Sequence, residues 1–440
     1  MQMHLPLAVP FTAESIANAV TLRGLHISTD GTQVVYGVRS LYKDSEEEHT
    51  KSAIWIASLG KETCARQLTS GQFNDTAAVF SPDGQSIIFL SDRHKAGGKA
   101  QIYALPLTAG GEATALTSTN SKKAVMAFKF SPDGKYIAFT SEDEPTDEEE
   151  LREKRKDDAV VWGDRKKGHS RLRLLRVTTR SISTFSLPSN VHVKDFVWND
   201  DSARLVVSTM QHKRLEAEAF ESIYFVISIH NPSGEPVNRT TSKNAHGSGL
   251  VWLADDTLLE LRYDDPVCPI SCESLQRVEP KTPQERVIYS GVEDDAGSLL
   301  SLRSDSQVVV EIVSGLNSRL EIVDSSGKHH ATIFETNDDA IADWTARKLE
   351  DGTYAVAVVK SSGPRKEVSN VWTGTTDGSK PVALTRASSH LQEFAEIKTD
   401  IHTEAFYWTA RDGTKLDGVI SKPVNAQCKL PTLLFVHGGE

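Results

Sequence analysis

Short runs in which apolar and polar positions alternate recur along almost the whole chain, and the same kind of turn introduces each one. Residues 80–91 read Phe-Ser-Pro-Asp-Gly-Gln-Ser-Ile-Ile-Phe-Leu-Ser, and residues 130–141 read Phe-Ser-Pro-Asp-Gly-Lys-Tyr-Ile-Ala-Phe-Thr-Ser. An earlier copy occupies Ile27 to Tyr36, and looser copies begin at Trp198, Trp252, Arg303 and Leu349. An apolar or aromatic residue closes one strand. Asp-Gly or a polar substitute then turns the chain, because Gly tolerates positive φ and Asp bonds its own backbone. A run rich in β-branched and aromatic residues follows as the next strand.

The turn aspartates are Asp30, Asp83, Asp133, Asp201, Asp255, Asp305 and Asp351, with successive gaps of 53, 50, 68, 54, 50 and 46 residues. A second signature lies inside the repeats. Ile54-Trp55-Ile56 precedes Leu68-Thr69, Ile102-Tyr103-Ala104 precedes Leu116-Thr117, and Val371-Trp372-Thr373 precedes Leu384-Thr385, at spacings of 14, 14 and 13. Each spacing fits a second hairpin, so every repeat supplies four strands. Seven four-stranded units at a period near fifty predict a seven-bladed β-propeller, in which each blade buries its faces against its neighbours. The expected division is an N-terminal segment at 1–22, the propeller at 23–395 and a different fold at 396–440.

The 68-residue gap places an insertion in the third blade, at 141–170. It holds an acidic run, Glu142 to Glu150, and then Leu151-Arg-Glu-Lys-Arg-Lys156. The second part could form a short exposed helix with i,i+4 charge pairs. The preferred reading is a solvated loop, and the functional alternative is a gate at the propeller rim.

Composition narrows the classes. The net charge of −11 gives no basic footprint for nucleic acid. Four cysteines (Cys64, Cys268, Cys272 and Cys428) are too few for a disulfide framework, and Cys268 with Cys272 lacks the second ligand pair of a metal site. No metal and no cofactor is expected. No run is long enough to span a membrane, and the N-terminus lacks the basic region of a signal peptide, so the expected compartment is the cytoplasm.

Beyond Thr385 the pattern changes. Ile401 and Ala405 to Trp408 lead to a turn at Asp412-Gly413, and a second strand closes at Pro423. Residues 430–436, Leu-Pro-Thr-Leu-Leu-Phe-Val, form a continuous apolar run suited to a strand buried on both faces. It leads into His437, Gly438, Gly439 and Glu440. A buried strand running into His-Gly-Gly is the layout of an α/β-hydrolase oxyanion loop, where glycine lets the backbone approach a scissile carbonyl. An ordinary strand-end turn would also suit Gly-Gly.

The propeller repeats, the Asp412-Gly-Thr-Lys-Leu-Asp-Gly418 hairpin and Pro431 to Gly439 together resemble the prolyl oligopeptidase family of serine peptidases. Within it the chain is most similar to the acylaminoacyl-peptidase and dipeptidyl-peptidase V branch. The resemblance implies the first strands of an α/β-hydrolase domain after the propeller, and a short peptide as substrate, admitted or excluded by the propeller. It implies an oxyanion donor at Gly439 within the loop His437, Gly438, Gly439. Many relatives continue with proline where this chain has Glu440. The family's Ser-Asp-His triad follows this loop in chain order. No Gly-x-Ser-x-Gly occurs in the sequence, so none of its residues is expected to be a catalytic nucleophile, acid or base. His329-His330 and His169 have no accompanying nucleophile pattern. A stand-alone binding propeller is the alternative; a glycan-processing propeller would need a carboxylate pair that the sequence does not place.

Overall fold

The structure, a computed structural model, describes residues 20–40, 49–108, 110–157, 168–211, 221–242, 247–264, 272–282, 285–289, 294–302, 306–337, 341–362, 367–388, 401–424 and 429–435. Seven four-stranded antiparallel sheets follow one another along the chain. Blade 1 is β1 (Val20–Ile27), β2 (Gln33–Ser40), β3 (Ser52–Ser58) and β4 (Arg66–Gln67). Blade 2 is β5 (Thr76–Phe80), β6 (Ser86–Ser91), β7 (Gln101–Pro106) and β8 (Thr114–Ala115). Blade 3 is β9 (Val125–Phe130), β10 (Tyr136–Glu142), β11 (Ser170–Arg176) and β12 (Ile182–Thr184), with helix α1 (Asp147–Lys154) between its second and third strands. Blade 4 is β13 (His192–Trp198), β14 (Arg204–Met210), β15 (Ser222–Ser228) and β16 (Val237–Ser242). Blade 5 is β17 (Gly247–Trp252), β18 (Leu258–Tyr263), β19 (Glu273–Arg277) and β20 (Val287–Tyr289). Blade 6 is β21 (Asp295–Leu302), β22 (Gln307–Ser314), β23 (Asn317–Asp324) and β24 (His329–Glu335). Blade 7 is β25 (Ile341–Lys348), β26 (Tyr354–Ser362), β27 (Glu367–Thr376) and β28 (Thr385–Arg386). A separate hairpin, β29 (Ile401–Thr409) with β30 (Lys415–Pro423), comes last. The expected seven-bladed propeller is the fold.

The turn between first and second strands repeats because its chemistry repeats. Asp30 accepts the Ser28 hydroxyl at 2.6 Å and the Thr32 N–H at 3.1 Å. Asp83 accepts from Ser81 at 2.5 Å and Gln85 at 3.0 Å, and Asp133 from Ser131 at 2.7 Å and Lys135 at 3.1 Å. These bonds favour the ionised form and hold the Asp30 and Asp83 carboxyls below the usual range. Gly31, Gly84 and Gly134 take φ near +70° at the following position. Ser202, Asp256 and Ser306 take φ of 61°, 67° and 51° where the looser repeats carry no glycine, so the turn survives loss of its preferred residue. Asp305 lies outside the described residues.

The second signature marks where each outer hairpin is latched. The Thr69 hydroxyl accepts the Ile54 N–H at 3.0 Å, and Thr117 accepts that of Ile102 at 3.0 Å. In blade 7 the equivalent bond runs from the Val371 N–H to Ser388 at 2.9 Å, not to Thr385, which lies in β28 itself. A threonine matched by sequence alone is therefore three residues short of the one that does this work.

Apolar side chains fill seven separate interfaces between consecutive blades. Val35, Ile54 and Ile56 of blade 1 pack on Phe80, Ile87 and Phe89 of blade 2. Leu22, Tyr36 and Ala57 of blade 1 pack on Ala355, Val359 and Val371 of blade 7. Among the described residues no strand is shared between the first and last blades, since β1 to β4 form blade 1. The ring closes instead by side-chain packing and by hydrogen bonds. Thr63 N–H donates to the Arg386 carbonyl at 3.0 Å, Ala65 N–H to that of Ala387 at 3.1 Å, and Gly60 N–H to the Thr373 hydroxyl at 2.9 Å.

First strands of neighbouring blades meet one another, as β1 meets both β5 and β25, so they surround the axis. Each carries a β-bulge, at Gly24–Leu25, Ala77–Ala78, Met126, Lys194, Gly249–Leu250, Gly297 and Ala342. Four antiparallel strands return the chain to the face it started from. The links between blades and the links from second to third strands therefore share one face, termed here the entry face. The Asp turns lie on the opposite face.

Candidate active-site face

Chain direction places three features on the entry face. The insertion between β10 and β11 stands there, and the chain leaves blade 7 there after β28. The β29–β30 hairpin follows, and its Asp417 carboxylate occupies the space that a side chain at Gly315, between β22 and β23, would need.

The insertion contains an ordered helix, where a solvated loop was preferred. Helix α1 starts earlier than the basic segment suggested, at Asp147, because Thr146 and Glu149 form a reciprocal capping box. Glu149 accepts the Thr146 N–H at 2.7 Å, and the Thr146 hydroxyl accepts the Glu149 N–H at 3.3 Å. The acidic run thus serves as a helix first turn, which the macrodipole favours. Arg152 pairs with Glu148 at 2.7 Å, one of the expected i,i+4 contacts. Lys122 pairs with Glu150, Lys123 with Glu142 at 3.3 Å, and Ser121 donates to Glu144 at 3.0 Å. These contacts tether the start of the insertion to the blade 2–blade 3 link. Residues 158–167 lie outside the described residues.

In blade 2, Arg93 makes paired 3.0 Å contacts to both oxygens of the fully buried Asp75. Its guanidinium also lies 4.8 Å from the Phe89 ring centre and 5.3 Å from that of Tyr103.

A charged network crosses the interface of blades 4 and 5. Glu260 and Arg262 are one strand period apart on β18, so both face blade 4, and each is almost fully buried. The Tyr224 hydroxyl donates to Glu260 at 2.6 Å, Arg262 donates to Glu260 at 3.1 Å and to Tyr224 at 2.8 Å, and Lys194 approaches Glu260 at 3.5 Å. Burial pushes the Tyr224 phenol well above its usual range. Nearby, Glu273 bonds through its N–H to Asp295 at 2.6 Å. Burial, reinforced by the Asp295 charge, raises the Glu273 carboxyl to about 6. This network was not singled out from the sequence. The signal was present as two charges at alternate positions in Leu-Leu-Glu-Leu-Arg-Tyr, an otherwise apolar strand.

The hairpin turns where expected, with Gly413 at φ +93° and Asp412 accepting the Thr414 N–H at 3.0 Å. The Trp408 indole lies over Gly418, and Phe406 stacks on Trp408 at 5.7 Å. The apolar run after it differs from expectation. Residues 429–435 pair with no described strand, and Leu433, Leu434 and Phe435 are 79%, 79% and 86% exposed rather than buried. A strand buried on both faces needs flanking strands and covering helices, and no described residue supplies them. His437, Gly438 and Gly439, the expected oxyanion loop, lie outside the described residues, as does the change of fold near 396.

His329 and His330 are exposed at the start of β24, on the turn face, where His330 meets Asp324 at 2.8 Å. His169 lies near His192 at a ring separation of 6.4 Å. Cys64 and Cys272 are free thiols, while Cys268 and Cys428 lie outside the described residues. Among the described residues, no three His, Cys, Asp or Glu side chains group as metal ligands, and no helix is long and apolar enough to cross a membrane.

Fold and entry-face features define a seven-bladed propeller followed by an added β-hairpin. Residues 28–158 match the TolB beta propeller domain family. The chain is 34% identical over 145 residues to the uncharacterized peptidase YuxL of Bacillus subtilis (strain 168), a match covering 32% of this chain and 21% of that protein. Among solved structures it superposes on the acylaminoacyl peptidase of Pyrococcus horikoshii with a TM-score of 0.64 at 12% identity, covering 93% of this chain and 59% of that one. A puromycin-hydrolyzing peptidase of Mycobacterium tuberculosis gives a TM-score of 0.61 at 12% identity, covering 93% and 60%. The structural neighbours are thus acylaminoacyl-peptidase and prolyl oligopeptidase-type enzymes, and this chain is similar to them in fold. It spans about three-fifths of the length of these solved chains.

Proposed function

We propose that this chain is the propeller-bearing part of a serine-type oligopeptidase of the prolyl oligopeptidase family, acting on short or N-terminally blocked peptides. The observation that carries the reading is the shared face. The chain leaves its propeller, adds the β29–β30 hairpin and projects the α1 insertion all on one side, and 93% of it superposes on an acylaminoacyl peptidase. On this reading the fold changes near residue 396, and residues 396–440 begin the hydrolase domain.

His437, Gly438 and Gly439 form its oxyanion loop, in which the Gly439 N–H faces the developing oxyanion. Such a donor contributes about 3 kcal/mol to the transition state. The nucleophile, acid and base come from residues not among these 440, and the chain by itself is inactive. The propeller covers the active site, with α1 at its rim, and admits peptides while excluding folded proteins. The cytoplasm is the proposed compartment.

The test has two arms. The nucleotide sequence after codon 440 is read for an in-frame Gly-x-Ser-x-Gly; a stop codon with no such sequence favours a binding scaffold instead. The purified 440-residue chain is treated with a fluorophosphonate probe. No labelling is expected, and covalent labelling overturns the assignment of an absent nucleophile.

A further inference from the structure

The acidic run of the blade 3 insertion, Glu142 to Glu150, meets partners on two sides. The alternation of β10 continues past its last residue, since the Asp143 N–H still bonds the His169 carbonyl at 3.4 Å. Successive side chains therefore turn to opposite neighbours. Glu142 and Glu144 turn to the blade 2–blade 3 link, where they meet Lys123 at 3.3 Å and the Ser121 hydroxyl at 3.0 Å. Asp143 turns the other way and meets Arg171 at 2.8 Å. In the first turn of α1, Glu150 reaches back to Lys122.

The two sides are not equally firm. Arg171 is only 15% exposed. Its guanidinium already donates to three carbonyls of the blade 3–blade 4 link, Pro188 at 3.2 Å, Ser189 at 2.8 Å and Val191 at 3.2 Å. A fork fixed in this way loses little freedom by holding Asp143 as well. Lys122 is 56% exposed, a hydrated charge on a flexible stem. Exposed pairs of that kind are weak and are screened by salt. Glu144 and Asp147 lie within electrostatic reach of the same lysine, and Glu149 within that of Lys123. Two lysines thus offset a run of carboxylates that otherwise repel one another. Helix α1 has eight residues, too few to persist in water without tertiary contacts.

We propose that the insertion is a salt-sensitive strap across the entry face. Asp143 on Arg171 is its hinge, anchored to the blade 3–blade 4 link. Lys122 and Lys123 hold α1 against the blade 2–blade 3 link until ionic strength screens them. Raising the salt then frees α1 while the propeller stays folded. The strap is a property of the propeller itself and does not depend on the peptidase reading.

Amide hydrogen exchange of the 440-residue chain is followed by mass spectrometry at about 0.01 M and about 1 M sodium chloride, where the screening lengths are roughly 30 Å and 3 Å. Exchange is normalised to an unstructured peptide in the same buffers. Protection of residues 147–154 is expected to fall about tenfold in the high salt, the size of two or three exposed ion pairs together. Strands β10 and β11 should keep their protection. Lys122→Gln combined with Lys123→Gln should exchange at the high-salt rate in both buffers. Lys122→Arg with Lys123→Arg keeps both charges and should behave as wild type.

Equal protection of α1 at the two salts overturns the strap, and so does exchange of α1 at the free-peptide rate in low salt. Loss of protection in α1, β10 and β11 together means that the blade melts, which also overturns it. A folded double glutamine variant that keeps the wild-type protection and salt response does the same. The wild-type salt series decides even if a variant fails to fold.

Discussion

The carboxylate of Asp343, in the first strand of the last blade, accepts the backbone N–H groups of Gly24 and Leu25, in the first strand of the first blade. The two ends of a ring more than three hundred residues around are joined at their bulges by one side chain. Asp195 makes the same contact onward to Leu250 between blades 4 and 5. Asp343→Ala is expected to lower stability by about 2 kcal/mol, the range for hydrogen bonds to a charged group. Asp343→Asn keeps an acceptor oxygen and removes a carboxylate whose burial raises its pKa, so it should stay near wild type. Urea unfolding of the two variants separates acceptor from charge.

Glu260 and Arg262 should behave as a unit. Glu260→Gln leaves a buried guanidinium without its counter-charge and is expected to cost about 3 to 5 kcal/mol. The double substitution Glu260→Leu with Arg262→Met should recover most of that loss. Tyr224→Phe removes one hydroxyl from the same network and should cost about 1 kcal/mol. A double-mutant cycle by thermal or urea unfolding measures the coupling; additive losses would contradict it.

Acid should loosen the joint between blades 1 and 2. His26 accepts the Phe80 N–H on Nδ1 at 3.3 Å. Burial, with Arg347 nearby, lowers its pKa from the usual 6.5 to about 4. The folded chain therefore holds the imidazole neutral in a range where the unfolded chain protonates it. This contribution to stability is full above about pH 6.5, falls as pH drops toward about 4, and changes no further below that. His26→Asn keeps an acceptor without a titrating group. Its melting temperature should fall less between pH 7 and pH 4 than that of the wild type, measured side by side.

Deleting residues 396–440 should raise solubility. The segment carries Phe406, Tyr407, Val419, Leu433, Leu434 and Phe435, each half exposed or more, and exposed apolar patches and free strand edges promote association. The shortened chain is expected to keep its strand signal in circular dichroism and to remain monodisperse at higher concentration in light scattering. Worse behaviour would count against the boundary near 396.

The turns were the most legible part of this fold, because Asp and Gly act on their own backbone within a few residues. Asp83 and Asp133 announce themselves locally, and even Asp255, with no glycine after it, keeps the pattern. Helix α1 was partly legible. Its Thr146–Glu149 capping box was in the sequence, but the acidic run was read as a solvated stretch.

Contacts between distant residues were not legible. Nothing near Asp343 in the sequence points to Gly24, and nothing near Lys194 points to Glu260. Ser388 and Thr385 differ by only three residues, yet only register tells which of them meets Val371. The proposed oxyanion loop at His437, Gly438 and Gly439 rests on motif and resemblance, since its role needs surroundings that the described residues do not provide.

The manner in which the ring closes sets a condition on synthesis. Among the described residues, the apolar face of blade 1 that carries Leu22, Tyr36 and Ala57 packs on blade 7. Blade 1 is complete at Gln67, and the last strand of blade 7 ends at Arg386. At ordinary translation rates the intervening residues take between about 15 and 60 s to emerge. Once blade 2 has covered its other face, blade 1 still presents this hydrophobic side until blade 7 is made, a surface that chaperones, or a neighbouring nascent copy, would meet before its own seventh blade does.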